Sequence, residues 1–243
     1  MLSALLPPWV HGGSTADLLE RLESDDVRER IRTSIDEWTP EDWENIGVRT
    51  GWENIIVTNL QTDTNQDLDG QSIAAIAERR DQHPADVVCD LLVKEELQVS
   101  MIVQSIDEGD LRTILREPDI AVASDGLFGK TSHPRVYGTY PRVLGHYVRE
   151  ENVIPLPEAI RKMTSLPARA TGLFTKGIIR PGMDADLVIF DPVRVASRAT
   201  FETPKRFPVG ISTVIVDGVP VVEDGETTGA TPGSVCRIDD RPT

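Results

Sequence analysis

"PDIAVASDGLFG", residues 118–129, runs apolar through residues 120–123 and then stops at Ser124, Asp125 and Gly126. A short apolar run bounded by turn residues is the pattern of a parallel-sheet strand covered on both faces. The aspartate at its carboxyl end has two readings. In an α/β barrel the carboxyl ends of the strands hold the chemistry, which makes Asp125 a candidate catalytic carboxylate. Asp-Gly is also common turn chemistry, in which case Asp125 only turns the chain.

Working back from this stretch, strands and helices alternate. Two helices are expected in "GGSTADLLERLESDDVRERIRTSIDEW", with Ser14 or Thr15 capping the first and Ser24 the second. Asp25 and Asp26 fall in the second helix's first turn, where the helix dipole favours acids. A buried strand follows across Ile55, Ile56 and Val57, then two helices, "QSIAAIAERRDQ" and "HPADVVCDLLVKEE", the latter opening at Pro84. The strand "QVSMIVQ", the helix "DEGDLRTILRE" and the strand "IAVAS" complete a grammar that reads as a parallel sheet.

Beyond Asp125 the texture changes. "GLFGKTSHPRVYGTYP" reads as a long loop, and loops of that length inside a domain are usually functional. Helices return at "PRVLGHYVREE" and "LPEAIRKMTSLPARATGL", and after Gly177 helical periodicity gives way to short strands. In "VIVDGVPVV" two apolar runs flank Asp217-Gly218, a strong hairpin signal. Three parallel strands fall short of the eight that close a barrel, and the chain opens without a strand of its own, so the barrel reading implies a further N-terminal portion.

The charge balance excludes one class of partner. Against 40 Asp plus Glu stand 25 Lys plus Arg, a net charge of −15, and this lacks the basic footprint that nucleic acid requires. The acids are dispersed as on solvated helix faces. Their excess, with only five lysines, fits a host with high internal salt that screens a self-repelling surface. "MLSALLPPWV" has no basic n-region and is broken by Pro7 and Pro8, so neither signal peptide nor membrane span is expected. Cys89 and Cys236 form no C-x-x-C, which suits a reducing cytoplasm. Of His11, His83, His133 and His146, no pair has the spacing that brings two imidazoles to one metal. His133 reads as a structural hydrogen-bonding residue.

Many motifs in one order carry a resemblance. "LSALLPPWVHGG", "ADVVCDLL", "SMIVQSIDEGDLRTILREPDIAVASDG", "HPRVYGTYPRVLGHYVRE", "EAIRKMTSLPARATGL" and "GIIRPGMDADLVIFDP" together resemble the C-terminal half of the N-acyl-D-amino-acid deacylases (D-aminoacylases) of the amidohydrolase superfamily. The element at residues 177–186 is shared superfamily-wide; the narrower resemblance rests on "SDG", "HPR" and "GTYPRVLG".

The resemblance implies an α/β chain forming the C-terminal part of a (β/α)8 TIM-like amidohydrolase barrel over residues 1–176, with residues 177–243 supplying strands of a small β-sandwich. It implies that Asp125 acts as general base and acid beside a zinc-activated water, and that Arg135 holds the substrate's α-carboxylate. A guanidinium fork suits a planar carboxylate, although a surface arginine paired with local acids has the same residue type. The family's H-x-H, ligating cysteine and further histidines have no counterpart here, so no metal ligand is assigned in this chain. Zinc is the cofactor of the complete family enzyme, and this chain alone is expected to bind none.

The expected reaction is hydrolysis of a small-molecule N-acyl-D-amino acid to a carboxylate and a D-amino acid. The chain is expected to be a fragment, inactive or nearly so alone: the product of a truncated or frameshifted gene, or one half of a split enzyme whose N-terminal half is a separate chain. Two other readings stand beside it: a non-catalytic remnant serving as an acidic binding module, and another amidohydrolase of the imidase or dihydroorotase-like kind.

Overall fold

The computed structural model describes residues 1–129 and 132–236. They fall into two compact units, Met1–Ile106 with Gly129, and Asp107–Phe128 with the residues from Ser132 onward.

The first unit opens on two short 3-10 turns, Leu2–Leu5 and Pro8–His11, and the Leu2 amide donates to the Val99 carbonyl at 3.0 Å. Helix α1 (Thr15–Glu23) starts at Ser14, whose hydroxyl accepts the Asp17 amide while Asp17 accepts the Ser14 amide, a reciprocal cap. Helix α2 (Asp25–Asp36) starts at Ser24, whose side chain makes no capping bond; Asp25 and Asp26 occupy its first turn as expected. Helix α3 (Ile46–Thr50) precedes strand β1 (Ile55–Thr58), helices α4 (Ile73–Arg80) and α5 (Pro84–Lys94), and strand β2 (Ser100–Val103). His83 caps α5, its Nδ1 accepting the Ala85 amide at 3.1 Å. Arg28 and Arg32 of α2 reach Asp90 and Asp86 of α5, each at 2.7 Å. These pairs flank a core that includes Leu22, Ile31, Val88, Leu91 and Leu92.

Strands β1 and β2 pair antiparallel, Ile55 opposite Val103 and Thr58 opposite Ser100, which corrects the expected parallel arrangement. A 3-10 turn and two helices lie between the two strands, and the alternation of strands and helices along the sequence does not fix the direction in which a strand returns. The buried carboxylate Glu95 follows α5. Burial pushes its pKa up, but hydrogen bonds from Thr62, Asn65 and the amides of Gln61 and Thr62 outweigh burial and hold it below the usual range. These bonds organise the turn that leaves β1.

In the second unit helix α6 (Glu108–Arg116) begins at Asp107, whose carboxylate accepts the Gly109 amide at 2.6 Å. The expected strand "IAVAS" pairs with no other strand among the described residues. Its backbone bonds go to a helix instead: the Val122 amide donates to the Lys162 carbonyl at 3.0 Å, and Lys162 Nζ donates to the carbonyls of Ile120, at 2.9 Å, and Glu117. An apolar run fixes burial; only a neighbouring ladder makes it a strand.

The expected loop at residues 126–141 is also shorter than read. Helix α7 (Arg135–Arg142) occupies its second half, while Lys130 and Thr131 lie outside the described residues. Pro141 sits inside α7, where it has no amide to donate, and the helix continues as a π-helical segment, Val143–Glu150. Gly145 of this segment allows a close approach, since a Cβ there would lie 2.7 Å from the Val195 carbonyl oxygen. Helices α8 (Leu156–Met163) and α9 (Ser165–Ala170) follow, and the core gathers Leu115, Val143, Leu144, Tyr147, Ile154 and Ala159.

The strands after residue 177 form one antiparallel sheet in the order β3 (Leu187–Phe190), β4 (Ile211–Val216), β5 (Val219–Glu223), β6 (Glu226–Thr227). The hairpin at Asp217-Gly218 forms as expected, with φ of 49° and 77°, the two positive values a type I′ turn requires. Asp186 accepts the Asp217 amide at 2.9 Å, and Lys176 bridges Asp184, at 3.0 Å, and Asp186. Both aspartates are held below the usual carboxylate range chiefly by Lys176. The acids of "PGMDAD" thus clamp a hairpin.

Candidate functional site

Asp125 and Arg135, the two residues singled out by sequence, meet in the second unit. Arg135 Nη2 lies 2.9 Å from Asp125 Oδ2, with the carboxylate 83% exposed and the guanidinium side chain 40% exposed. Asp125 takes φ of 44°, the left-handed conformation that aspartate tolerates better than most residues. This backbone agrees with the turn reading of Asp-Gly. The ion pair is what a turn alone does not require.

Arg135 is placed by its own helix start. It is the first residue of α7, and its amide donates to His133 Nδ1 at 3.0 Å. That bond leaves the ring's proton on Nε2 when the imidazole is neutral. Burial, and then the neighbouring Arg135 charge, push the His133 pKa down, which favours the neutral form. His133 also packs edge-on against Phe201, the centroids 5.1 Å apart. It serves the local structure, as its lone occurrence suggested.

Gly126 keeps the Asp125 turn against α7: a Cβ there would sit 3.3 Å from the Val136 Cα. Beyond it an aromatic group forms, with Tyr137 edge-on to Phe128 at 6.4 Å and to Phe207 at 5.8 Å. Phe128 and Phe207 are largely exposed. The contribution of Phe201 and Phe207 was not read from sequence, because their approach depends on tertiary contacts some 70 residues away in the chain.

Among the described residues no group of three or more His, Cys, Asp or Glu side chains converges in a way that could hold a metal ion. His83 caps α5, His146 lies between Glu150 and Glu151 at 3.2 and 3.1 Å, and Cys89 is buried in α5, its thiol pushed up to about 12 by burial. A zinc site needs several Cys, His or carboxylate donors in convergent geometry, so these residues do not fit one. What the Asp125–Arg135 pair can do by itself is accept a proton and hold a planar anion.

Comparison with known proteins gives a consistent relationship. The amidohydrolase family model matches residues 22–222. The D-aminoacylase of Alcaligenes xylosoxydans xylosoxydans is 41% identical over 171 residues, 70% of this chain and 34% of the relative. The N-acyl-D-glutamate deacylase of the same organism is 37% identical over 173 residues, again 70% of this chain and 34% of the relative.

Among solved structures, a D-aminoacylase described with a binuclear metal centre superposes with a TM-score of 0.67 at 40% identity, covering 72% of this chain and 36% of that one. An N-acyl-D-glutamate deacylase from Bordetella Bronchiseptica, bound to zinc and a phosphonate mimic of the tetrahedral intermediate, gives 0.64 at 29% identity, covering 89% of this chain and 44% of that one. This chain spans about a third of the length of the curated relatives it matches. The chain belongs to the amidohydrolase family, and its relatives within that family include a D-aminoacylase and N-acyl-D-aspartate and N-acyl-D-glutamate deacylases.

Proposed function

We propose that this chain carries the proton-transfer and carboxylate-binding residues of an enzyme that hydrolyses N-acyl-D-amino acids to a carboxylate and a D-amino acid. The observation that carries this reading is the meeting of Asp125, in the "SDG" motif, with Arg135, the last residue of "HPR" and the first of α7, at 2.9 Å. In this scheme Asp125 takes a proton from the attacking water and returns it to the amide nitrogen as the C–N bond breaks. Arg135 holds the α-carboxylate and so orients the scissile amide.

The metal-ligating side chains come, on this reading, from residues outside this chain, in a longer polypeptide or a separate N-terminal partner. With those residues supplied, residues 1–176 form the C-terminal part of a (β/α)8 barrel and residues 177–243 strands of a small sandwich. Zinc is the metal in that assembly.

The test is a substitution in the assembled enzyme. Arg135→Lys keeps the charge but loses the two-pronged contact, and is expected to raise KM for N-acyl-D-amino acids about tenfold. The corresponding carboxamides should show no change. An equal effect on both substrates would remove Arg135 from the binding scheme.

A further inference from the structure

The chain uses one turn twice to start a helix. In His83-Pro84-Ala85 and again in His133-Pro134-Arg135, the imidazole Nδ1 accepts the amide two residues on, at 3.1 and 3.0 Å. A first-turn amide has no partner inside its helix and proline offers no side-chain acceptor, so the ring is what satisfies it. The two rings differ in what lies beyond them. His83 Nε2 faces the Asp36 carboxylate at 3.1 Å. His133 has the uncharged Phe201 packed across it and the Arg135 charge beside it, and among the described residues no carboxylate acts on the ring. Asp125, the acid of this region, is paired with Arg135 instead.

We infer that His133 is a positioning residue for Arg135, holding the start of α7 while its ring is neutral and releasing it when the ring is protonated. This rests on the proposed role of Arg135 and adds a control by pH to it. A proton on Nδ1 turns the acceptor into a donor that meets the Arg135 N–H head-on. It also sets a positive charge at a helix N-terminus, against the dipole and next to the arginine. Release stays within the first turn, because the middle of α7 is seated where a Cβ on Gly138 would lie 3.3 Å from the Ala199 Cβ. Burial, and then the Arg135 charge, hold the ring's pKa below the ordinary histidine value of about 6.5. The neutral, holding form therefore persists through neutral pH, and release comes only as the pH falls below that value.

The test is an acid titration of the full, isotope-labelled chain from about pH 8 to about pH 5, followed by NMR at the His133 ring nitrogens and the Arg135 amide. The neutral ring should be the Nε2–H tautomer, and the Arg135 amide should shift and lose protection from exchange in step with protonation of the ring. His133→Asn offers a side-chain oxygen to the same amide without titrating, so the Arg135 amide should stay protected throughout. His133→Phe keeps a ring against Phe201 but has no acceptor, and should leave that amide unprotected at every pH. In the assembled enzyme, kcat/KM for N-acetyl-D-leucine should fall about fivefold further over the same range in wild type than in His133→Asn, the scale of a lost cap. An Arg135 amide indifferent to the ring's protonation, or titrating equally in His133→Asn, would overturn the release. An identical fall of kcat/KM in wild type and His133→Asn would overturn the positioning of Arg135 by His133. Failure of the Arg135→Lys test would instead remove the proposed role of Arg135 and leave the release standing on the titration of the chain itself.

Discussion

In an enzyme assembled from this chain and a segment bearing the metal ligands, Asp125→Asn is expected to lower kcat for N-acyl-D-amino acids by at least ~10²-fold, the scale of a general base. The amide keeps the size of the side chain and suits its left-handed backbone, at φ of 44°, so the loss reports the missing proton acceptor rather than a disturbed fold. KM should change little or fall, because the substitution also removes the charge that occupies Arg135. Steady-state kinetics on the two variants separate the roles: Asp125→Asn acts on kcat, Arg135→Lys on KM. Full activity in Asp125→Asn would return Asp125 to the status of a turn residue.

The second large effect concerns stability. Lys162→Ala is expected to cost about 3 kcal/mol, from two hydrogen bonds lost and a cavity opened. Lys162 is fully buried, and its ammonium donates to the carbonyls of Glu117 and Ile120, 42 or more residues earlier in the chain. Its own carbonyl accepts the Val122 amide. The extended segment leading to Asp125 is thus fastened to α8 from both sides of one residue, where a neighbouring strand would otherwise do the fastening. Denaturant unfolding of the variant, read through a probe in the second unit, checks the value. A loss under about 1 kcal/mol would mean that the carbonyls of Glu117 and Ile120 find other donors or water.

Parts of this were legible in the sequence because they are local. Ser14, Pro84 and the Asp217-Gly218 turn act within a few residues of themselves, and each structural element they announce is found. The family relationship was legible for a different reason, the order of many motifs along the chain. Strand direction was not read correctly, although the two helices between β1 and β2 were, because the alternation of strands and helices does not fix it. The strand status of "IAVAS" was beyond reach, since an apolar run does not say whether a ladder or a buried lysine will satisfy its backbone. Lys162 itself carries no local mark of burial. At the site, the strand-end pattern pointed to Asp125 and the family resemblance to Arg135, but their direct pairing and the unfilled Nε of Arg135 follow from the turn at Gly126 and the start of α7.

The helix start at Arg135 also shows why a composition-based loop assignment failed there. "HPRVYGTYP" is rich in Gly, Pro and polar residues, yet Pro134 precedes the helix and His133 accepts the Arg135 amide, both signals of a helix beginning. Pro141 then ends the regular α-helical geometry without ending the helix, which continues with wider π turns.

On the proposed function, this chain supplies the carboxylate and arginine of a D-specific deacylase whose metal ligands lie in other residues. Release of free D-amino acid from N-acetyl-D-leucine, compared with N-acetyl-L-leucine, tests it most directly, with zinc present and with or without a segment bearing the ligating histidines. The expected result is no turnover by this chain alone and turnover of the D substrate alone once that segment is joined or added. Failure of the complemented enzyme to hydrolyse the D substrate, or equal hydrolysis of both enantiomers, would contradict it.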